Sequence, residues 1–326
     1  MEKKIDIAAL GELLIDFTQA GVSKDGKKLF EQNPGGAPAN LLTAASHMGL
    51  KTEFIGKIGA DMHGDYLKET IENEGIGTKS LIQAEDVFTT LAFVAINAET
   101  GEREFSFARK PGADTCLEIA DLDQKVLEEC KIMHFGSLSL TDDPARQASF
   151  EAVKKAKEAG AIISYDPNYR APLWKSEQDA IEMMSKMIPF ADVMKVSDEE
   201  SLLITGESDY QKAAERILEM GPSIVAVTLG SKGVLLVAED NSEIVPGFKV
   251  KAVDTTGAGD SFWGGFLSMY LKYEKSLEEM EWSEWKKCAS YGNAVAGLCV
   301  QKRGGIPAIP SKEEVEQFLN EMVKME

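Results

Sequence analysis

A chain of 326 residues, 44% hydrophobic and 27% charged, has the balance of a soluble globular protein and room for one large α/β domain or two smaller ones. Its formal net charge of −19 argues against nucleic acid as a partner, because phosphate backbones demand clustered Lys and Arg. No apolar run reaches a membrane span, no signal-peptide core follows Met1, and the four cysteines and three histidines form no metal or redox spacing, so a cytoplasmic setting is expected.

From the N-terminus, residues 5–10 read as a buried strand. Residues 13–19 and 30–32 are strand-like with only a loop, 21–28, between them. A helical pattern covers 38–48, a strand 52–57 and a second helix 61–73. Residues 89–97 and 102–108 have the pattern of a hairpin around Glu99-Thr100-Gly101. Short β-like runs at 131–135, 162–165, 193–196 and 224–229 then alternate with helical segments, and 234–238 follows the last across a turn. Residues 248–253 read as a strand that runs through small residues into an apolar helix, 262–271. Such alternation predicts an α/β fold, a mostly parallel central sheet flanked by helices. The four strands without helices predict a small second sheet made of 13–33 and 88–109, set on a core of 1–12, 34–87 and 110–326. This sheet reads as a lid at the carboxyl edge of the main sheet, the alternative being a plain extension of that sheet's edge.

The stretch Asp254-Thr255-Thr256-Gly257-Ala258-Gly259-Asp260-Ser261-Phe262 carries the most chemistry. Gly257, Ala258 and Gly259 bring bare backbone N–H groups to a helix start, where orphan donors and the positive end of the helix dipole favour an anion. Asp260 sits in the same turn. A carboxylate beside an anion site suits a base working next to a phosphate, although a capping acid alone would look the same. Neither GxxxxGK[ST] nor a GxGxxG after the first strand is present, which disfavours a Walker-type site and a dinucleotide dehydrogenase.

These nine residues resemble the second signature of the ribokinase-like (phosphofructokinase-B) carbohydrate kinase family. Gly35-Gly36-Ala37-Pro38-Ala39-Asn40 with Gly56-Lys57-Ile58-Gly59 is similar to its first. Within the family, Gly11-Glu12-Leu13-Leu14-Ile15-Asp16-Phe17, Gly101-Glu102-Arg103-Glu104-Phe105, Ser164-Tyr165-Asp166-Pro167-Asn168-Tyr169-Arg170, Lys195-Val196-Ser197-Asp198-Glu199-Glu200 and Lys302-Arg303-Gly304-Gly305-Ile306-Pro307 resemble fructokinases. The resemblance implies ATP-dependent phosphorylation of a sugar hydroxymethyl group, with D-fructose as acceptor; another kinase of the family or a non-catalytic sensor on the same scaffold are the alternatives.

Residue by residue, the resemblance implies Asp260 as catalytic base, with the helix N-terminus from Gly257 through Ala258 and Gly259 to Asp260 as the anion hole. Asp16, Gly35, Gly36, Asn40, Phe93, Arg103, Arg109 and Arg170 are implied around the sugar, a solvated structural role being open for the two lid arginines. Lys195, Ser197, Thr228, Gly230, Ser231, Gly233 and Asn293 are implied around ATP, together with Gly257 and Gly259. Thr228–Gly233 also reads as a plain hairpin turn. Glu200 matches an acid that organises Mg²⁺ through water, although Ser197 stands where many relatives have Asn. Asp254, Thr256, Cys299, Lys302 and Gly304 match a K⁺ loop built mostly from backbone carbonyls, with Ala308 where a side-chain ligand can stand. The apolar lid strands point to a homodimer joined through the lids.

Overall fold

The computed structural model describes residues 3–96 and 103–325 of the chain. The tip expected at Glu99-Thr100-Gly101 lies outside the described residues, as do the side chains of 95–105, and with them the expectation for Arg103.

The first part of the chain gives β1 (Ile5–Leu10), β2 (Leu14–Val22), β3 (Lys28–Gly35), α1 (Ala37–His47), β4 (Thr52–Gly59), α2 (Met62–Asn73), β5 (Ile76–Ala84), β6 (Leu91–Ile96) and β7 (Arg103–Ala108). Next come α3 (Gln124–Glu129), β8 (Cys130–Phe135), α4 (Ala145–Glu158), β9 (Ile162–Tyr165), α5 (Glu177–Met187), β10 (Val193–Ser197), α6 (Asp198–Thr205) and α7 (Tyr210–Leu218). The last part holds β11 (Ile224–Thr228), β12 (Gly233–Ala238), β13 (Asn241–Pro246), α8 (Ala258–Leu271), α9 (Trp282–Cys299) and α10 (Lys312–Met325).

One sheet runs in the order β13-β12-β11-β10-β9-β8-β1-β4-β5. From β11 to β5 every neighbour is parallel, and β12 and β13 return antiparallel. Strand β1 shows why helices cover both faces. Ile7 and Ala9 pack to one side with Leu41, Phe262, Trp263 and Phe266; Ala8 and Leu10 pack to the other with Leu127, Ala152, Met184 and Ile217. A strand buried on both faces is an unbroken apolar run, which is how 5–10 reads in the sequence. Aromatic rings stack from α8 into α9, Trp263 on Phe266 at 4.6 Å and Phe266 on Trp285 at 5.8 Å. That stacking anchors α8, whose first turn carries Asp260.

The helix-free strands form a separate sheet, β3-β2-β6-β7, rather than an extension of the main one. Cross-strand partners share a face, so the pairing sorts this sheet's side chains. Asp16 pairs with Asn33 and Ala92 on one face, and Phe17 pairs with Gln32 and Phe93 on the other. On that second face Phe17 stacks on Phe93 at 5.3 Å, Phe30 meets Phe93 edge-on at 6.1 Å and His63 of α2 meets Phe17 edge-on at 5.7 Å.

One expected strand is corrected. Residues 248–253 form none; the edge of β12 is already taken by β13, and the apolar pattern there has another cause. Phe248 packs edge-on against Phe318 of α10 at 5.0 Å, and Val253 donates its N–H to Val300 O at 2.7 Å. The strand expected from residue 89 begins at Leu91, because the Thr89 N–H is donated to Asp61 Oδ2 at 2.8 Å, part of the N-cap of α2.

Candidate active site

In a parallel sheet the carboxyl ends of the strands gather the residues that follow them. Asp166 follows β9, Ser197 ends β10, and Thr228 ends β11 directly beside Ser197. The first turn of α8 is built against Lys195 at the carboxyl end of β10. Gly257 turns the chain into the helix in the left-handed conformation, φ 73°, which glycine adopts without steric cost. Ala258 already donates its N–H to Thr255 O at 3.2 Å, and Ser261 N–H to Gly257 O at 2.8 Å opens the helical ladder. The first-turn amides of Gly259 and Asp260 lie between them at the positive end of the dipole.

The Asp260 carboxylate is buried and oriented by two amides from distant segments. Asn40 Nδ2 donates to Oδ2 at 2.8 Å and Asn168 Nδ2 donates to Oδ1 at 3.1 Å. Burial pushes its pKa up, while the Lys195 ammonium, the Asn40 amide and the Arg170 guanidinium act against the shift. Asn168 was not singled out as a site residue from the sequence. Its signal is its backbone: φ is 49°, a conformation that Asn tolerates better than most residues and that turns its amide toward Asp260.

Lys195 and Asp166 form a buried pair, Nζ to Oδ2 at 2.9 Å. Burial alone would lower the lysine's pKa, but Asp166, Glu200 and Asp260 more than offset it and the value is raised. Asp166 is pushed up to about 7, by burial first, with Lys195 opposing and Glu200 and Asp260 reinforcing. A Cβ on Gly259 would stand 2.9 Å from Lys195 Nζ, so glycine there lets the ammonium reach the helix's first turn. Two acceptors of this cluster, Asn40 Oδ1 and Asp166 Oδ1, are buried without a hydrogen-bond partner among the described residues. Uncompensated acceptors cost about 1–3 kcal/mol each, the kind of deficit concentrated at functional sites.

On the small-sheet side, burial raises Asp16 to about 6, with the Arg170 charge opposing. Gly35 lies against the Asp16 carboxylate, where any Cβ would overlap Oδ2, and Gly36, at φ 128°, lies against Glu12 O. Arg170 is exposed; Nη1 donates to Tyr169 O at 3.0 Å, and its charge acts on both Asp16 and Asp260. Asp16, Asn40, Gly35, Gly36, Arg170 and Asp260 are thus brought together. Two expectations are corrected. Phe93 lies on the sheet face opposite Asp16, stacked on Phe17, because the two-residue period of a strand sends it there. Arg109 is buried, neither solvated nor turned to a ligand: Nε donates to Asp114 Oδ2 at 2.8 Å, Nη1 to Thr141 Oγ1 at 2.9 Å and Nη2 to Leu138 O at 2.8 Å.

On the other side of α8, Ser197 and Glu200 form a capping box on α6. Glu200 accepts from Ser197 N at 2.8 Å and Tyr169 N at 2.7 Å, so its carboxylate is already tied to two loops. Thr228 Oγ1 donates to Val196 O at 3.3 Å. Gly230, at φ 58°, and Ser231 form an exposed turn, and Gly233, at φ 104°, is pressed against Val245 O where a Cβ would overlap. Asn293 donates Nδ2 to Val245 O and Pro246 O at 3.2 and 3.1 Å, joining α9 to the end of β13. The segments expected to form a cation loop lie beside one another. Asp254 Oδ1 accepts from Thr256 N and Oγ1 at 3.0 and 2.8 Å, and Asp254 Oδ2 from Gly304 N at 3.1 Å. Cys299 Sγ lies 3.9 Å from Thr256 O, whereas the Lys302 ammonium turns outward to Glu314.

Residues 4–312 match the pfkB family carbohydrate kinase model. The chain is 38% identical over 321 residues to "Probable fructokinase-5" of Arabidopsis thaliana, covering 98% of each. Among solved structures it is similar to fructokinase with bound ATP from Xylella fastidiosa, with a TM-score of 0.91, 30% identity and coverage of 98% of this chain and 99% of that one. It is also similar to a fructokinase double mutant from Vibrio cholerae O395 with fructose, ADP and potassium ion bound, with a TM-score of 0.85, 28% identity and coverage of 98% and 100%.

Proposed function

Because the chain belongs to the pfkB family of carbohydrate kinases, we propose that it transfers the γ-phosphoryl group of ATP to the 6-hydroxyl of D-fructose, with Asp260 as general base. The observation that carries this reading is the buried Asp260 carboxylate, gripped by Asn40 and Asn168 in the first turn of α8. A pure binding module has no use for a base held in that position. Asp260 takes the proton of the hydroxyl as its oxygen bonds to the γ-phosphorus and the bond to the β–γ bridging oxygen breaks, releasing ADP. The Gly259 and Asp260 N–H groups and the dipole of α8 face the charge that spreads over the phosphoryl oxygens.

The sugar is held from two sides, by Asp16 and Gly35 of the small sheet and by Gly36 and Asn40 at the start of α1, with Arg170 across the opening. Lys195 acts from beneath the first turn of α8 as a buried positive charge, and Asp166 fixes its ammonium. Ser197, Thr228, Gly230, Ser231 and Gly233 line the nucleotide side, where Asn293 holds the β13 end in place. Among the described residues no cluster of three acidic, Cys or His side chains could cage a metal. Mg²⁺ would enter with the ATP phosphates, and Glu200, whose two carboxylate oxygens each accept one backbone N–H, would meet it through water with its remaining lone pairs. It would supply charge neutralisation on the phosphates. The Asp254–Thr256 and Cys299–Gly304 loops, brought together by Gly304 N–H on Asp254 Oδ2 and by Cys299 Sγ beside Thr256 O, would hold a K⁺ ion mostly through backbone carbonyls, with Ala308 giving no side-chain oxygen. The exposed aromatic face of the small sheet is proposed as the contact of a homodimer.

The test is a coupled assay of ATP consumption with fructose, ribose, adenosine and 2-keto-3-deoxygluconate. Fructose is expected to give the highest kcat/KM, since a buried polar site rejects acceptors that leave its groups unpaired. An equal or higher value for any of the other three overturns fructose as the substrate and leaves the kinase reading standing.

A further inference from the structure

The chain crosses between the two sheets four times, and buried hydrogen bonds pair the crossings, the first with the second through Glu12 and the third with the fourth through Asp114. At the first, Glu12 follows β1; its Oε1 accepts the Ala37 N–H at 2.8 Å, which is the second crossing, where β3 passes into α1. At the third, before β6, Thr90 O accepts the Ile15 N–H at 3.1 Å and Thr90 Oγ1 donates to Asp114 Oδ1. At the fourth, after β7, Arg109 grips the same Asp114 and also reaches Thr141 Oγ1 and Leu138 O, in the main body just after β8. Ala113 N–H to Phe88 O, 2.9 Å, ties the third and fourth crossings directly. Arg109, Asp114, Thr90 and Glu12 are all buried.

We propose that Arg109 is a positioning residue, the pin of a hinge that sets the angle of the small sheet on the main body and so the spacing between Asp16 and Asp260. Asp16 belongs to the small sheet, whereas Asn40 and Asp260 belong to the main body. A sugar held by Asp16 presents its hydroxyl to Asp260 only when the two parts stand at the right angle. A guanidinium is the group for such a joint, because its planar fork fixes several acceptors at once where an ammonium fixes a point. The electrostatics agree with the geometry: Glu12 is pushed up to about 7, by burial first, and feels both Asp114 and Arg109. The charges of separate crossings therefore sit within one another's field.

The proposal rests on the sugar kinase reading for its kinetic consequence but not for its structural one, and the experiment separates the two. Hydrogen exchange and steady-state kinetics are compared for the full-length wild type, Arg109→Met, Arg109→Lys and Thr90→Val. Thr90→Val keeps the Arg109–Asp114 pair and serves if Arg109→Met fails to fold, since removing one partner of a buried ion pair is strongly destabilising. Exchange in β2 and β6 should rise about tenfold in Arg109→Met and Thr90→Val, with β8 to β11 unchanged, and Arg109→Lys should fall between them and wild type. KM for fructose should rise and kcat fall together while KM for ATP stays within about twofold, the signature of a hinge on one substrate's side. A lower melting temperature with unchanged exchange in β2 and β6 overturns the hinge and leaves Arg109 as a fold residue. A raised KM for fructose with unchanged exchange overturns it in favour of direct sugar contact. If the wild type does not phosphorylate fructose, the substrate reading fails and the exchange data alone decide the hinge.

Discussion

Asp260 and Asn40 stand 220 residues apart in the chain and 2.8 Å apart in the structure. Replacing Asp260 by Asn keeps the shape and removes the base, so kcat should drop by about two to four orders of magnitude while fructose still binds. Single-turnover kinetics with calorimetric binding check this, and near-normal kcat would place the base elsewhere. Asp16 predicts the acid limb of the pH profile. With its value raised to about 6, the carboxylate accepts sugar hydroxyls above that pH and loses its charge below it, so kcat/KM for fructose should fall as pH drops through about 6. Asp16→Asn should lower kcat/KM about ten- to a hundredfold, as for a lost charged hydrogen bond, and remove this group's part of the limb. The linked stability has the opposite sign. Folded Asp16 holds its proton more tightly than the unfolded chain does, so its cost to stability grows as pH rises from 3.8 to about 6 and is complete above that. At this scale the sequence displays residue types in motifs, which is enough to single out Asp260, Asn40 and Asp16 as candidates. It does not display what spends a side chain's donors, and so Arg109 reads as a lid cation when Asp114, Thr141 and Leu138 have taken it. Asn168 reaches Asp260 from a left-handed backbone, and no motif of residue types states a dihedral angle.

Between residues and the whole, helix α8 is the element that sets the site, and glycines set α8. A Cβ on Gly264 would stand 2.6 Å from Leu41 O and 2.7 Å from Ala44 Cβ, both on α1. Gly264→Ala therefore has to push α8 off α1, at a cost of about 1–3 kcal/mol for overpacking. Because α1 carries Asn40 and α8 carries Asp260, the same change should lower kcat. Gly297 in α9 is the internal control, since a Cβ there meets Phe248 Cβ at 3.8 Å, an ordinary contact. Gly297→Ala should stabilise by about 0.5–1 kcal/mol through helix propensity, with kcat unchanged. Thermal melts beside kcat check both; a stable, fully active Gly264→Ala would show that the α1–α8 spacing does not govern the base. Elements such as β1 and β11 were legible because double-sided burial leaves an unbroken apolar run. Residues 248–253 misled for the same reason: Phe248 is apolar because α10 covers it, and an apolar pattern does not say whether the covering partner is a strand or a helix.

For the whole molecule, the small sheet has one face that carries Asp16 and one that carries Phe17 and Phe93, and the second is the exposed apolar one. Phe30 and Phe93 remain 39% and 37% exposed while packing on each other, Phe93 also on Phe17. Val22, 64% exposed and paired with Lys28, extends that apolar surface along β2, whereas Leu29, next to Phe30 in β3, lies on the other face. Alternation along the strands, invisible without the pairing register, is what puts Phe93 on the face opposite Asp16. Contiguous exposed aromatics rimmed by polar residues usually mark an interface, and a second copy of the same sheet would offer a self-complementary face. The wild type should therefore sediment as a dimer at micromolar concentration, and Phe30→Glu with Phe93→Glu as a monomer that keeps its melting temperature. A monomeric wild type would sink the dimer. Closure is a separate matter from dimerisation, because water must be kept from the phosphoryl group whichever oligomer forms. Adding fructose should slow hydrogen exchange in β2 and β6, in the dimer and in the double variant alike. Protection that appears only in the dimer would make the partner subunit, rather than the sugar, what orders the sheet; no protection in either would leave the sheet a static wall.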